Sequence, residues 1–359
     1  MSHSSYIPHK LRPPPIPEEP QKHQDQKKTP RDYLSNLTLS EVLPPNNILK
    51  LFLAENRIDL PLPTQRAIVS LLVQHYTDFY KSPSSESLDS FCVEFPDDLS
   101  MRIMSLAQES SESVRQLAFV ISKHSAPSIY ISHALYGLAY ARQDLEAGYA
   151  MSRQCIKGLP GLAPDPAKGY QILHVLSGRG HGRSMYTLGC HLFNVHPKKG
   201  VELLTAAAGQ DVKEACTQLG HLYLYGNVKS GVLRNLKTAE TFLLRASKLG
   251  HPEGSFYLST LYSSQSVIRD PTTNGNNTDD VESASVAVDD EKAFGLLVDA
   301  AMKGLPVAQF NVGVAYFEGR GTKDSEKDIF RATEYWKMAS EGGVQLAQVR
   351  FPSITQYSY

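Results

Sequence analysis

Long apolar runs are missing from this 359-residue chain. No stretch approaches the roughly 20 residues that a membrane-spanning helix requires, so an integral helical membrane protein is not expected. The opening residues, MSHSSYIPHKLRPPPIPEEP, hold neither the apolar core of a secretory signal nor the acid-free amphipathic helix of a mitochondrial presequence. A cytoplasmic chain is the expectation, with a mitochondrial assembly factor imported without an obvious presequence as the alternative. The sequons at Asn36 and Asn276 then carry no meaning, because glycosylation acceptors matter only in secreted chains. Net charge is also scarce, at −1. That gives no electrostatic case for nucleic acid or an anionic membrane, and it points to protein partners.

Cysteine is rare as well. Cys92, Cys155, Cys190 and Cys216 show no Cys-x-x-Cys spacing, and so few in a chain of this length do not make a disulfide framework. Cys190 and Cys216 read as small buried apolar residues. Catalytic and ligand-binding signatures are absent too. The twelve histidines form no His-x-x-x-His or Cys-His cluster with an acidic partner, so no metal is expected. Gly178-Arg-Gly-His-Gly182 is glycine-rich but is not a Gly-x-x-x-x-Gly-Lys phosphate loop, and its glycines fall where a helical turn is expected. No Ser, Cys and His spacing supports an activated nucleophile. The expectation is a non-enzyme with no cofactor and no catalytic residue; a hydrolase is the alternative of a different class.

What is present is periodicity. In EKAFGLLVDAAMKGLPVAQFNVGVAYFEGRG, residues 291–321, the residues Ala293, Leu296, Leu297 and Ala300 share one helix face behind the acidic start Asp289–Glu291. Gly304 suits a helix C-cap, Pro306 opens a second helix, and Gly319 and Gly321 end it. This unit recurs. The small residues Gly169, Gly200, Ala239, Ala293 and Ala332 are each followed 15 positions on by another, at Ser184, Ala215, Gly254, Ala308 and Ala347. A glycine lies 11 on in four of the five cases, at Gly180, Gly250, Gly304 and Gly343, with Asp211 the exception. Gly189, Gly220, Ser259 and Gly313 fall five residues into the second helices, and Tyr223, Tyr262 and Tyr316 three later. Recurrence at roughly 30–50 residues marks a stacked repeat array. Gly220 and Gly313 are expected where two helices cross closely.

The run Lys-Ala, Ala-Ala-x-x-Gly, Ala-x-x-Leu-Gly-x-x-Tyr, Gly-x-Gly resembles the Sel-one-like repeat, a relative of the tetratricopeptide repeat, over about residues 165–351. The resemblance implies an all-α fold, a right-handed α-solenoid of stacked antiparallel helix pairs. It also implies a protein-protein interaction scaffold or adaptor, an activator or assembly factor of a larger complex. Some secreted relatives carry a cysteine pair in every unit, a pattern missing here.

Around the array, residues 1–32 carry seven prolines and little to bury, and are expected to be disordered. Within them Pro17-Glu-Glu-Pro20-Gln-Lys22 has the Pro-x-x-Pro-x-Lys pattern read by polyproline-binding domains. Residues 33–126 read as an N-terminal helical region, either a separate cap or a set of degenerate repeats, with helix starts at Asn46-Asn47, Pro63-Thr64 and Pro96-Asp-Asp, and no aligned repeat columns. The solenoid is placed at 127–351, with 352–359 a C-terminal tail. Between 127 and 164, Ser132 to Gly137 and Tyr140 match second-helix columns and Glu146-Ala147 with Gly158 a first helix, before prolines interrupt the pattern. At 263–290 a polar, acidic segment is expected as a mobile insertion, since the column gap there (259 to 293) is 34 residues against 19 in the regular cases.

On the second helices one column varies and is mostly polar: Thr187, Gln218, Tyr257 and Asn311. Cys190, His221, Thr260 and Val314 lie three residues further on and share that side. In solenoids of this class that helix lines the concave face, so the four residues are expected as a ladder along a peptide-binding groove; the plain alternative is ordinary solvated positions.

Overall fold

The computed structural model describes residues 28–50, 60–81, 96–263, 286–321 and 326–348. They are helical throughout, apart from turns and two isolated bridges, Leu159 with Leu162 and Asn227 with Val232. The helices form two compact units, one ending at Ser184 and one beginning at Met185, so the division falls inside the helix Gly182–Phe193.

Paired helices are the building block, and one turn makes every pair. The five first helices whose small-residue column the sequence shows, Pro166–Gly178, Pro197–Gly209, Leu236–Lys248, Asp290–Met302 and Ile329–Glu341, are each 13 residues long. That column is the fourth residue of each. The residue 11 past it takes a left-handed backbone, with φ of 86°, 58°, 78°, 83° and 85° at Gly180, Asp211, Gly250, Gly304 and Gly343. The next N–H reaches five residues back to a carbonyl, as His251 does to Ala246 at 3.0 Å and Leu305 to Ala300 at 3.2 Å. This is the 6→1 closure of a Schellman cap, and it aims the chain into the second helix within two residues. Asp211 adopts the glycine conformation without being glycine, which is why its column looked broken.

A second recurrent bond joins each pair to the next. The N-cap residues Asn235, Asp289 and Asp328 accept from the backbone N–H three residues on at 2.8–2.9 Å. Their own N–H groups bond the carbonyls of Tyr223, Tyr262 and Tyr316, the tyrosine column, at 2.8–2.9 Å. The 263–290 segment therefore leaves and rejoins the array at the points a regular repeat uses; residues 264–285 lie outside the described residues.

Small residues let each second helix meet the following first helix at close range. A Cβ at Gly313 would lie 2.6 Å from the fully buried Trp336 ring, and one at Gly200 2.6 Å from the Phe193 backbone. A Cβ at Gly220 would meet Cγ and Cδ2 of Leu243 at 2.6 Å, and at Gly189 the nearest atoms are 3.2 Å away. The expected close crossings at Gly220 and Gly313 are there.

The register expected for 127–164 is overturned. Ser128–Ala141 is a first helix and Leu145–Lys157 a second: Gln143 supplies the left-handed turn (φ 74°), Asp144 N–H bonds Ala139 O at 3.1 Å, and Asp165 N–H bonds Cys155 O at 2.8 Å, as the later caps bond tyrosine. Gln and Cys stand where the repeat has Gly and Tyr, so the columns were displaced. The turn also appears at Asp97–Leu106 and Ser111–Ile121, where Gln108 and Glu109 both have positive φ and Glu109 N–H bonds Met104 O at 2.8 Å. Repeat-like hairpin geometry thus extends into the N-terminal region, as the degenerate-repeat alternative has it.

Further back, Leu62–Lys81 and a helix starting at Asn46 match expected starts, and residues 51–59 and 82–95, with Cys92, lie outside the described residues. The boundary at 32 shifts: the helix Pro30–Leu34 begins inside the expected tail, with Asp32 accepting from the Thr29 N–H at 2.7 Å and Leu34 fully buried. Residues 1–27, including the Pro17–Lys22 motif, and residues 349–359 lie outside the described residues.

Candidate functional site

Second helices of the unit beginning at Met185 carry the expected ladder. Thr187 and Gln218 are half-buried, as are Cys190 and His221 beside them. Tyr257 and Asn311 are not solvated positions: their exposures are 9% and 7%, and Thr260 and Val314 are buried with them. The ladder is thus a half-open polar stretch at one end and an enclosed one at the other.

At the enclosed end there is a cavity of about 60 Å³. Thr260, Asn311 and Val314 line it from two second helices, Phe294 and Leu297 from the first helix between them, and Asp290 and Arg320 from the ends. Arg320 holds Glu318 at 2.6 Å. The wall is mostly apolar with polar atoms at its edge, the make-up of a pocket for a small part of a ligand rather than a whole small molecule.

Where the half-open stretch passes into the enclosed one, Lys213–Tyr225 and Pro252–Tyr262 pack against each other, and an aromatic set bridges them. The His221 ring lies 4.9 Å from Tyr257 edge-on and 4.8 Å from Tyr225. Such contacts fix ring orientation. Glu214 and Glu253, each one residue before the small column, occupy the same register position on these two helices. Burial, and then the charge of Glu214, push the Glu253 carboxyl above the usual carboxylate range, although the side chain is exposed to solvent. No ion pair joins either carboxylate to a described side chain. The deeper hydroxyl of Tyr186 is pushed far up by burial, then by Cys190, with Glu214 and Glu253 adding to it.

Sequence reading found the ladder column and overlooked these glutamates. Their signal was present as acidic residues in the same register at 214 and 253, and the packing of the two helices brings the charge of Glu214 to bear on Glu253.

The other expected positions serve the fold. Tyr223 stacks on Phe242 at 5.9 Å, Tyr316 on Tyr335 at 5.8 Å, and Lys292 sits 3.9 Å over the Tyr262 ring. Cys216 is buried, and burial pushes the Cys190 thiol up to about 11, so neither is an activated nucleophile. Among the described residues no group of three or more His, Cys, Asp and Glu is placed to hold a metal ion, and no helix is long and apolar enough to cross a membrane.

Comparison with known proteins agrees with this geometry. The Sel1 repeat family profile matches residues 213–251 and 306–344, each a second helix with the first helix that follows it. Those two segments are Sel1 repeats. Among solved structures, it is similar to a protective antigen present in uropathogenic Escherichia coli strains that displays an SLR fold, at 22% identity and a TM-score of 0.56 over 72% of this chain and 52% of that one. It is also similar to a Sel1 repeat protein from Oxalobacter formigenes, at 14% identity and a TM-score of 0.53 over 78% of this chain and 98% of that one. The chain thus spans about half the length of the first relative and nearly all of the second. At these identities the likeness is one of fold, a helical-repeat solenoid. No curated protein matches the chain.

Proposed function

We propose that this Sel1 repeat protein is a non-catalytic adaptor that binds segments of partner proteins along the second-helix face of residues 185–348. One observation carries the reading: three residues of the two variable columns, Thr260, Asn311 and Val314, converge on one cavity. A ladder of ordinary surface residues would have no reason to enclose a space. The half-open stretch at Thr187, Gln218 and His221 continues the same columns towards solvent. An assembly or activation role in a larger complex suits a protein that presents one extended face, and the cytoplasm is the compartment we assign; cell fractionation checks the latter.

Substitution tests the face. Thr187→Lys with Gln218→Lys adds two charges at half-buried positions and should abolish capture of the partners that the parent retains, while leaving the melting temperature within a few degrees. Asn311 is too buried for a charge to report on binding alone. Unchanged capture by the folded double variant overturns the reading.

A further inference from the structure

The cavity at the enclosed end of the ladder has a size and a chemistry that select what enters it. Its floor is apolar, with Phe256, Val314 and Ala315 all buried. The hydroxyls of Ser259 and Thr260, in one wall, both donate to the carbonyl of Phe256, at 2.7 and 3.1 Å, so neither proton is left for a ligand. Of the lining residues Asp290 and Arg320 are charged; both come from helix ends and are half-buried. Arg320 holds Glu318 through Nε at 2.7 Å and Nη2 at 2.6 Å, so its charge is answered within the chain. A charged group on the floor would lose hydration and meet no counter-charge, whereas an apolar group gains contact there.

Size narrows the choice further. The volume, about 60 Å³, is less than half of the roughly 150 Å³ at which an engineered apolar cavity holds benzene. It suits a few aliphatic carbons and is too small for an aromatic ring. Thr260, Asn311 and Val314 belong to the columns that run on to Gln218 and His221, so a segment lying along the ladder reaches this cavity with a side chain.

We propose that the cavity takes one aliphatic side chain of the partner segment, a valine, leucine or isoleucine, and excludes phenylalanine, tyrosine and tryptophan. This rests on the reading of the second-helix face as the binding surface, and it adds the kind of residue the partner must carry there.

Methyl NMR of the full chain tests it, with the N-acetyl N-methylamides of leucine, valine, alanine, phenylalanine and lysine as probes. Each carries one side chain between two peptide groups. The leucine and valine amides should shift the methyl signals of Val314 and Leu297, and leucine should bind about tenfold more tightly than alanine. The phenylalanine and lysine amides should leave those signals in place. Ala315→Leu fills the cavity and should abolish the leucine response. Leu297→Ala enlarges it and should admit the phenylalanine amide, read at Val314, so the test survives if the filled variant does not fold. No response to leucine or valine in the parent, or an equal one to phenylalanine or lysine, overturns the proposal. Partner capture separates this outcome from the fate of the face. If folded Ala315→Leu captures partners as the parent does, while Thr187→Lys with Gln218→Lys captures none, the face stands and the anchor is wrong. If neither variant loses capture, the face reading fails and the anchor with it.

Discussion

Single residues in this fold differ in what their neighbours allow. A methyl at Gly313 would press on Trp336, which is rigid, fully buried and tied by its indole N–H to Phe310 O at 3.1 Å. At Gly220 it would press on Cγ and Cδ2 of the buried Leu243, an aliphatic side chain with more rotamer freedom than an indole tied at its N–H. Gly313→Ala should therefore cost about 1–3 kcal/mol and Gly220→Ala distinctly less, as read by urea unfolding. Equal losses would show that Trp336 can move. Gln143 holds a left-handed backbone that its side chain disfavours, so Gln143→Gly should stabilise by about 0.5 kcal/mol, the strain relieved less the entropy glycine adds to the unfolded chain. Glu253 carries a pH signature. Its folded pKa is raised, so its ionisation costs stability at pH above that value, and the cost disappears as pH falls below the ordinary carboxylate range near 4.3. Glu253→Gln should melt above the parent at pH 7–8 and with it at about pH 4. The reverse order would mean that the carboxylate has a cationic partner in the free protein.

Elements were legible where they followed the repeat's chemistry. Pro306, Gly304 and the small-residue columns fix helix, turn and next helix within about 30 residues, and the 13-residue first helices fall where those columns place them. The register at 127–164 was not legible, because Gln143 and Cys155 do the work of Gly and Tyr through backbone geometry that the side chains do not announce. The hairpin at Asp97–Ile121 escaped notice for the same reason, with Gln108 and Glu109 in the turn. The ladder column was visible as variation; its burial at Tyr257 and Asn311 was not, since burial there depends on the neighbouring helices. The insertion gives a prediction at this scale. Asp289 N–H bonds Tyr262 O just as Asn235 and Asp328 bond the other tyrosines, so the flanking helices are placed without the intervening residues. Removing 15 residues from 264–285, the excess of the 34-residue gap over the regular 19, should leave the melting temperature within about 3 °C. A loss of cooperative unfolding would show that the segment belongs to the core.

Across the molecule, the proposed binding face follows from the repeat. Each first helix, through its small-residue column and N-cap bond, fixes the second helix before it, and the second helices place equivalent residues side by side. On the proposed face Thr187, Gln218, Tyr257 and Asn311 vary while the small-residue columns recur, so residues there can differ from repeat to repeat without altering the stacking. The most direct test is photo-cross-linking from Gln218 on that face, set against Thr241, an exposed position on a first helix. A discrete set of protein adducts from Gln218, with none from Thr241, is the predicted result. Adducts from Thr241 alone, or from neither position, would contradict the second-helix face as the site of partner binding.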